Sequence, residues 1–175
     1  ELSLTDSLTN LPNRRCAFKQ LAVHWQDSKE LGVPLVCIMI DADHFKRIND
    51  TSGHDAGDLV LKTLSRELKN TFRNDDIVCR LGGDEFCIIL NTMSNDNDHG
   101  IVADHLLKRL RVPSKLGTTE LIISASIGIV SAPRDGTSSE ELLQNADLAM
   151  YRAKALGRNK FQKFNSLMTD QAVEQ

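Results

Sequence analysis

With 175 residues, 41% of them hydrophobic, 26% charged and 5% aromatic, the chain is long enough to bury roughly 68–70% of its unfolded surface without help from disulfides or a structural metal. Its 21 Lys and Arg stand against 24 Asp and Glu, a net charge of -3, which excludes a surface that grips polymeric nucleic acid by charge but allows a small phosphorylated ligand. The longest apolar run, residues 33–40, contains Pro34 and is far short of the ~20 residues that span a bilayer, so no membrane contact is expected of this domain.

Glu1 to Thr5 carries neither a basic nor an apolar leader and no initiator Met, so it reads as the end of a linker from a missing N-terminal region. Residues 6–164 read as one domain and 165–175 as a frayed tail. Pro12 at a first helical position, then Phe18, Leu21, Ala22 and Trp25 at helical spacing and Gly32 as a stop, predict a helix over about 13–30. Leu35 to Ile40 predicts a buried strand ending in acid, and 44–50 a short helix ending near Gly53. Leu59, Leu61, Leu64 and Leu68 predict a longer amphipathic helix to about Phe72.

Ile77 to Leu81 and Phe86 to Leu90 are strand-like runs on either side of Gly82-Gly83-Asp84-Glu85, a hairpin signal because glycines supply the positive φ of a tight reversal. Residues 92–100 read as an irregular surface loop, followed by a helix over about 100–111. Strands are expected at 121–123 and 127–130, a helix at about 138–156 with Leu142, Leu143, Ala146, Ala149, Met150 and Ala153 inward, and a last strand at 160–164. Hairpins mixed with helices imply an α+β fold with a mixed, largely antiparallel sheet flanked by helices. The four cysteines show no Cys-x-x-Cys spacing, two sit in strand-like runs, and a reducing cytoplasm fits them best.

Acid at strand ends is the main chemical signal. Asp41 and Asp43 follow the apolar strand, and Asp84 and Glu85 occupy the hairpin tip. If the two strands are neighbours, the carboxylates converge, and the usual remedy for their repulsion is a hard divalent cation shared with substrate phosphates. Turn chemistry, which favours Asp and Gly in its own right, is the competing explanation.

Residues 82–86 read GGDEF, and the sequence resembles the GGDEF domains, the diguanylate cyclases that make cyclic di-GMP from two GTP. The resemblance also rests on residues 6–14 (DSLTNLPNR), 41–50 (DADHFKRIND), Gly53-His54, Gly57-Asp58, Ser126-Ile127-Gly128, Ala146-Asp147 leading to Tyr151, Ala153-Lys154, and Gly157-Arg158-Asn159. Asn10 stands where Gly is commoner, and Ala42 where a larger aliphatic is usual.

The resemblance implies a palm-like, nucleotidyl-cyclase-like sheet with a ferredoxin-like core and two Mg²⁺ (or Mn²⁺) per active site. By similarity Asp41, the Ala42 carbonyl and Asp84 are metal ligands, and Glu85 is a further ligand or helps deprotonate the 3′-hydroxyl; either Asp84 or Glu85 could take the proton. Asp58 and Asn49 would read guanine, whose paired N1–H and N2–H donors match a carboxylate as adenine cannot, with His54 close by. Gly82 and Gly83 would border the substrate, Phe45 would be a pocket wall, and Lys46, Lys154 and Arg158 would contact phosphate. Without the family, Asp58 also reads as a helix-start acid, His54 as a loop histidine, and Lys154 with Arg158 as cations complementing a helix C-terminus.

Arg73-x-x-Asp76 lies where the family holds inhibitory product, although Arg47 to Asp50 has the same spacing and reads as a helix ion pair. The resemblance further implies a homodimer for activity, control by an N-terminal sensor or receiver region, and a cytoplasmic domain whose parent could be membrane-anchored. Two other readings stand beside the cyclase: a catalytically silent domain that binds GTP or cyclic di-GMP as a receptor, and a template-directed polymerase palm, which would need a basic channel that the charge balance lacks.

Overall fold

The protein is described from a computed structural model that covers residues 3–90 and 96–169. Helix α1 (Arg14–Leu31) starts where the Asn13 side chain accepts from the Cys16 N–H, and ends at Gly32, whose φ of 71° is the left-handed conformation glycine adopts without penalty. Strand β1 (Leu35–Ala42) leads into the short α2 (Phe45–Ser52) and then α3 (His54–Thr71). The hairpin of β2 (Ile77–Gly82) and β3 (Glu85–Leu90) follows. After α4 (Asp96–Leu110) come β4 (Ser114–Leu116), β5 (Thr119–Leu121) and β6 (Ala125–Ala132), then α5 (Ser139–Ala155) and β7 (Lys160–Lys163).

The main sheet has the order β2-β3-β1-β6-β7, antiparallel throughout except for the parallel β6–β7 pair. β1 is central, which explains why its sequence is a continuous apolar run rather than an alternating one: every residue from Leu35 to Ala42 is buried. Alternate side chains enter two cores. Val36, Ile38 and Ile40 pack with Leu61, Leu64 and Leu68 of α3 and Leu106 and Leu110 of α4. Leu35, Cys37 and Met39 pack with Leu21 of α1 and Leu142, Ala146 and Met150 of α5. An α+β architecture with a mixed sheet is therefore what the chain adopts, as the pattern of hairpins and helices implied.

Several local expectations change. In α1 the buried residues are Ala17 and Leu21, while Phe18 is 41% exposed beneath the Arg14 guanidinium, 4.9 Å from its ring centre. The apolar stripe of α1 is thus displaced by one residue from Phe18, and Ala22 is exposed. The strand expected at 121–123 lies at 119–121 and pairs with β4 in a small separate hairpin that the short run Ser114–Leu116 did not announce. α4 begins at Asp96, inside the segment 92–100 expected to be loop, and residues 92–95 of that segment lie outside the described ones. Residues 166–169 make a helical turn with Met168 buried, so this part of the tail is docked; the last residues, 170–175, lie outside the description. Cys37, Cys79 and Cys87 are free and buried, and burial pushes the thiols of Cys37 and Cys79 up to about 12, so they serve as small core hydrophobes.

Gly128 of β6 sets the approach of α5 to the sheet. A Cβ there would overlap the Ala146 carbonyl oxygen and the Met150 nitrogen and lie 3.0 Å from the Ala149 carbonyl carbon, all backbone atoms that cannot rotate aside. Gly128→Val should therefore cost about 3 kcal/mol or more, read as a lowered urea midpoint, because overpacking here must push a whole helix outward.

Candidate active site

β1 and β3 lie side by side with Asp41 opposite Glu85, and the Ala42 N–H donates to the Asp84 carbonyl over 3.1 Å. The hairpin tip is thereby fastened to the acidic end of β1, and the conditional convergence of acids is met. Lys154, in the last turn of α5, ion-pairs with Oδ2 of Asp41. Oδ1 of Asp41 is buried and receives no hydrogen bond. Burial, reinforced by the neighbouring Asp84 carboxylate and opposed by Lys154, pushes Asp41 up to about 7. Burial raises Glu85 as well, followed by the charges of Asp147 and Asp41, with Lys154 and Arg14 acting in the other direction. Asp147 and Arg14 were not singled out from sequence for this role; only their tertiary placement on α5 and α1 brings them to Glu85.

Asp43 parts company with Asp41. Its carboxylate accepts from Ser124 Oγ and Ser126 Oγ, both at 2.6 Å, and from the Asn159 N–H at 2.9 Å. A carboxylate with three donors is fully engaged, and it ties the end of β1 to β6 and to the α5–β7 connection. The two acids spaced by one residue therefore divide the labour, one buried with an open oxygen and one structural.

The turn itself depends on Gly82 and Gly83, with φ of 135° and 51°. Arg80 holds it from behind: its Nε and Nη2 donate to the Gly83 carbonyl over 3.2 and 2.8 Å, and its Nη1 reaches Asp6 at 3.1 Å. The Arg80 N–H also donates to the Pro12 carbonyl over 2.9 Å. Asp6 in turn accepts from the Thr9 N–H and hydroxyl at 2.9 and 2.7 Å. Burial alone would raise the Asp6 carboxyl, but the Thr9 and Arg80 hydrogen bonds outweigh it and hold Asp6 below its ordinary value. The N-terminal stretch 6–14 is thus a clamp on the hairpin, a role that no spacing between residue 6 and residue 80 could reveal. Beside it, a surface cleft of about 740 Å³ is lined by Arg14, Arg15, Phe18, Lys19, Arg80 and Gly82, and it too went unanticipated.

The residues expected to read the base occupy α2 and α3. Asn49 is half-buried and its Oδ1 is buried without a hydrogen-bond partner, while His54 and Asp58 are exposed. Phe45 packs against the larger core and Lys46 is exposed. Arg158 lies just past α5 with φ 64°, and its N–H donates to the Ala153 carbonyl at 3.0 Å; Lys154, its expected phosphate-binding companion, is engaged by Asp41. Arg73 and Asp76 stand elsewhere, on the α3–β2 connection at the opposite end of β2 from the hairpin tip. They close a tight turn, with the Arg73 N–H on the Asp76 carboxylate at 2.9 Å, and line a separate cleft of about 360 Å³ with Leu11, Lys69 and Asn74. Burial is the chief cause that raises the Asp76 carboxyl.

Among the described residues, no three His, Cys, Asp or Glu side chains stand in a ready-made metal-ligand geometry. The donor set nevertheless suits a hard cation: all oxygen, anionic, and with one buried carboxylate oxygen left open. Two outcomes follow for stability. Asp84→Asn should raise Tm by a few °C in the absence of added metal, because it removes a like charge from beside buried Asp41. Arg80→Ala should cost about 2 kcal/mol in denaturant unfolding, since it strips charge-assisted bonds from Asp6 and leaves the Gly83 carbonyl unpaired.

Comparison with known proteins agrees with this arrangement. The family model described as "Diguanylate cyclase, GGDEF domain" matches residues 3–160. The cyclic di-GMP phosphodiesterase NbdA of Pseudomonas aeruginosa is 37% identical over 175 residues, which is 100% of this chain and 22% of that relative. The chain spans 20–26% of the length of four such curated relatives. Among solved structures, the GGDEF domain of TpbB (YfiN) from P. aeruginosa superposes with a TM-score of 0.92 at 34% identity, covering 98% of this chain and 99% of that one. The GGDEF domain of DgcB from Caulobacter crescentus, in complex with c-di-GMP, gives a TM-score of 0.87 at 27% identity, covering 93% of this chain and 96% of the other. A matched span that includes the clamp, both acidic strand ends and the α5 lysine leaves one assignment: the chain belongs to the GGDEF domain family.

Proposed function

We propose that this chain is a diguanylate cyclase that condenses two GTP into cyclic di-GMP and two pyrophosphates. The observation that carries the reading is Asp41 beside the Asp84 carboxylate, with Oδ1 buried and without a hydrogen-bond partner and Lys154 on the other oxygen. An acid so destabilised persists in a folded domain where it has a ligand to hold. Asp41, Asp84, Glu85 and the Ala42 carbonyl are the groups that would hold Mg²⁺ or Mn²⁺, two ions in the family's arrangement. When bound, such ions neutralise the triphosphate and lower the pKa of the attacking 3′-hydroxyl.

The chain's own residues then supply the remainder. Asn49 and Asp58, with His54 nearby, bind guanine; Phe45 walls the pocket; Gly82 and Gly83 let the backbone approach the nucleotide; Lys46, Lys154 and Arg158 receive phosphate. Lys154 waits on Asp41 and passes to the β/γ-phosphates as the carboxylate gains other partners. Glu85, raised by burial and by its acidic neighbours, is suited to accept a proton from the 3′-hydroxyl, as is Asp84. One chain presents one such set, and the product contains two new phosphodiester bonds, so two copies must face each other. Arg73 and Asp76 form an inhibitory site for the product, supported by the separate cleft they line. Input arrives from an N-terminal sensor or receiver region, in the cytoplasm.

The second reading, a silent receptor for GTP or cyclic di-GMP, draws support from relatives several times longer than this chain, two of which are named cyclic di-GMP phosphodiesterases and a third bifunctional. Chromatographic analysis of the purified domain with GTP and Mg²⁺ separates the two. The cyclase reading expects cyclic di-GMP, formed at a rate that rises with the square of protein concentration at low concentration and falls at least a thousandfold in Asp84→Ala. GTP binding without product at high protein concentration selects the receptor. Arg73→Ala should keep the initial rate and lose inhibition by added cyclic di-GMP; unchanged sensitivity removes the inhibitory site.

A further inference from the structure

Gly57 is a glycine inside a helix, the poorest helix former after proline, and its backbone is ordinary helix rather than the positive φ that would require glycine. Something other than backbone geometry must explain it. A Cβ built on Gly57 would overlap Oδ1 of Asn49 outright and come within 2.8 Å of its Cγ and 3.2 Å of its Nδ2. The three nearest atoms to that Cβ all belong to the Asn49 side chain. The amide of Asn49, reaching across from α2, therefore lies in the space that any larger residue at 57 would fill.

That space is costly to occupy as it stands. Asn49 Oδ1 is buried there without a hydrogen-bond partner, and an amide acceptor in that condition forfeits its hydration. A rotatable side chain would be expected to swing out to water unless the position serves a ligand that brings a donor. We propose that Gly57 is a positioning residue for base recognition: its missing side chain makes room for the Asn49 amide beside α3, so that Asn49 is held where it meets guanine on the side of the 2-amino group. This rests on the reading of Asn49 as part of the GTP pocket. Specificity then depends on a residue that never touches the nucleotide, because Ala at 57 leaves the helix intact and evicts Asn49.

The experiment is a mutant cycle on nucleotide binding, read by titration calorimetry with 3′-deoxy-GTP and 3′-deoxy-ITP, neither of which can react and the second of which lacks the 2-amino group. Circular dichroism and thermal melts accompany each variant. Gly57→Ala should weaken 3′-deoxy-GTP roughly tenfold, the scale of one hydrogen bond to a buried amide, and narrow the preference for it over 3′-deoxy-ITP. Asn49→Ala should do the same, and the double variant should bind no worse than Asn49→Ala alone, with an equal or higher Tm. Wild-type discrimination in Gly57→Ala overturns the proposal, and so does a further loss in the double variant, which would place the effect in helix packing. If Asn49→Ala itself binds 3′-deoxy-GTP like wild type, the pocket assignment is wrong and this inference goes with it; an effect of Asn49→Ala without one of Gly57→Ala refutes the inference alone.

Discussion

A carboxylate buried beside another carboxylate repels it, and the surrounding fold holds Asp41 and Asp84 together against that cost. β1 delivers Asp41 to the end of a strand covered on both faces, and the antiparallel register sets Glu85 directly across from it. The Ala42 N–H bond to the Asp84 carbonyl fixes the third acid. Lys154 supplies the cation that pairs with Asp41, and it can do so because α5 lies tightly against β6 over Gly128. The strain is local, the support is spread over the whole sheet, and this is the usual division between a binding site and its scaffold.

The support extends to both ends of the chain. Asp6, itself held by Thr9, and the Pro12 carbonyl bind Arg80, and Arg80 binds the Gly83 carbonyl, so the segment before α1 braces the tip of a hairpin some seventy residues later. Asp43 braces the other side, joining Ser124, Ser126 and the Asn159 N–H. A segment entering the domain at Asp6 is thus mechanically connected to the acids through one arginine. Displacing that segment would withdraw Leu11 from the larger core as well as loosen the Gly83 carbonyl.

Much of the architecture was legible because it follows from periodicity. The apolar run of β1, the Gly82-Gly83 reversal, the glycine stop of α1 and the inward stripe of α5 appear where local pattern places them, whereas α1 begins after an Asn13 cap and not at Pro12. The failures are also physical. Phe18 is apolar at helical spacing yet lies outside, since the α1 face is set by where β2 allows the helix to rest, and Arg14 covers the ring. β4 is three residues long and half-exposed, too short for any alternation to register. The start of α4 is polar, and its helix is completed by packing of Leu106 and Leu110 rather than by its first turn.

The sequence alone determined the acids, the glycines of the turn and the order of the elements other than β4, because strand burial, positive φ and helical periodicity are local requirements of neighbouring residues. It also named Asn49, Asp58 and Lys154 by their resemblance to a family, without saying what they touch. Only the tertiary structure decided that Asp41 has an open oxygen while Asp43 has none, that Arg80 joins Asp6 to Gly83, and that Gly57 yields its space to Asn49. Those are relations between residues brought together from different elements by sheet register and helix packing, and no spacing along the chain encodes the distance between them.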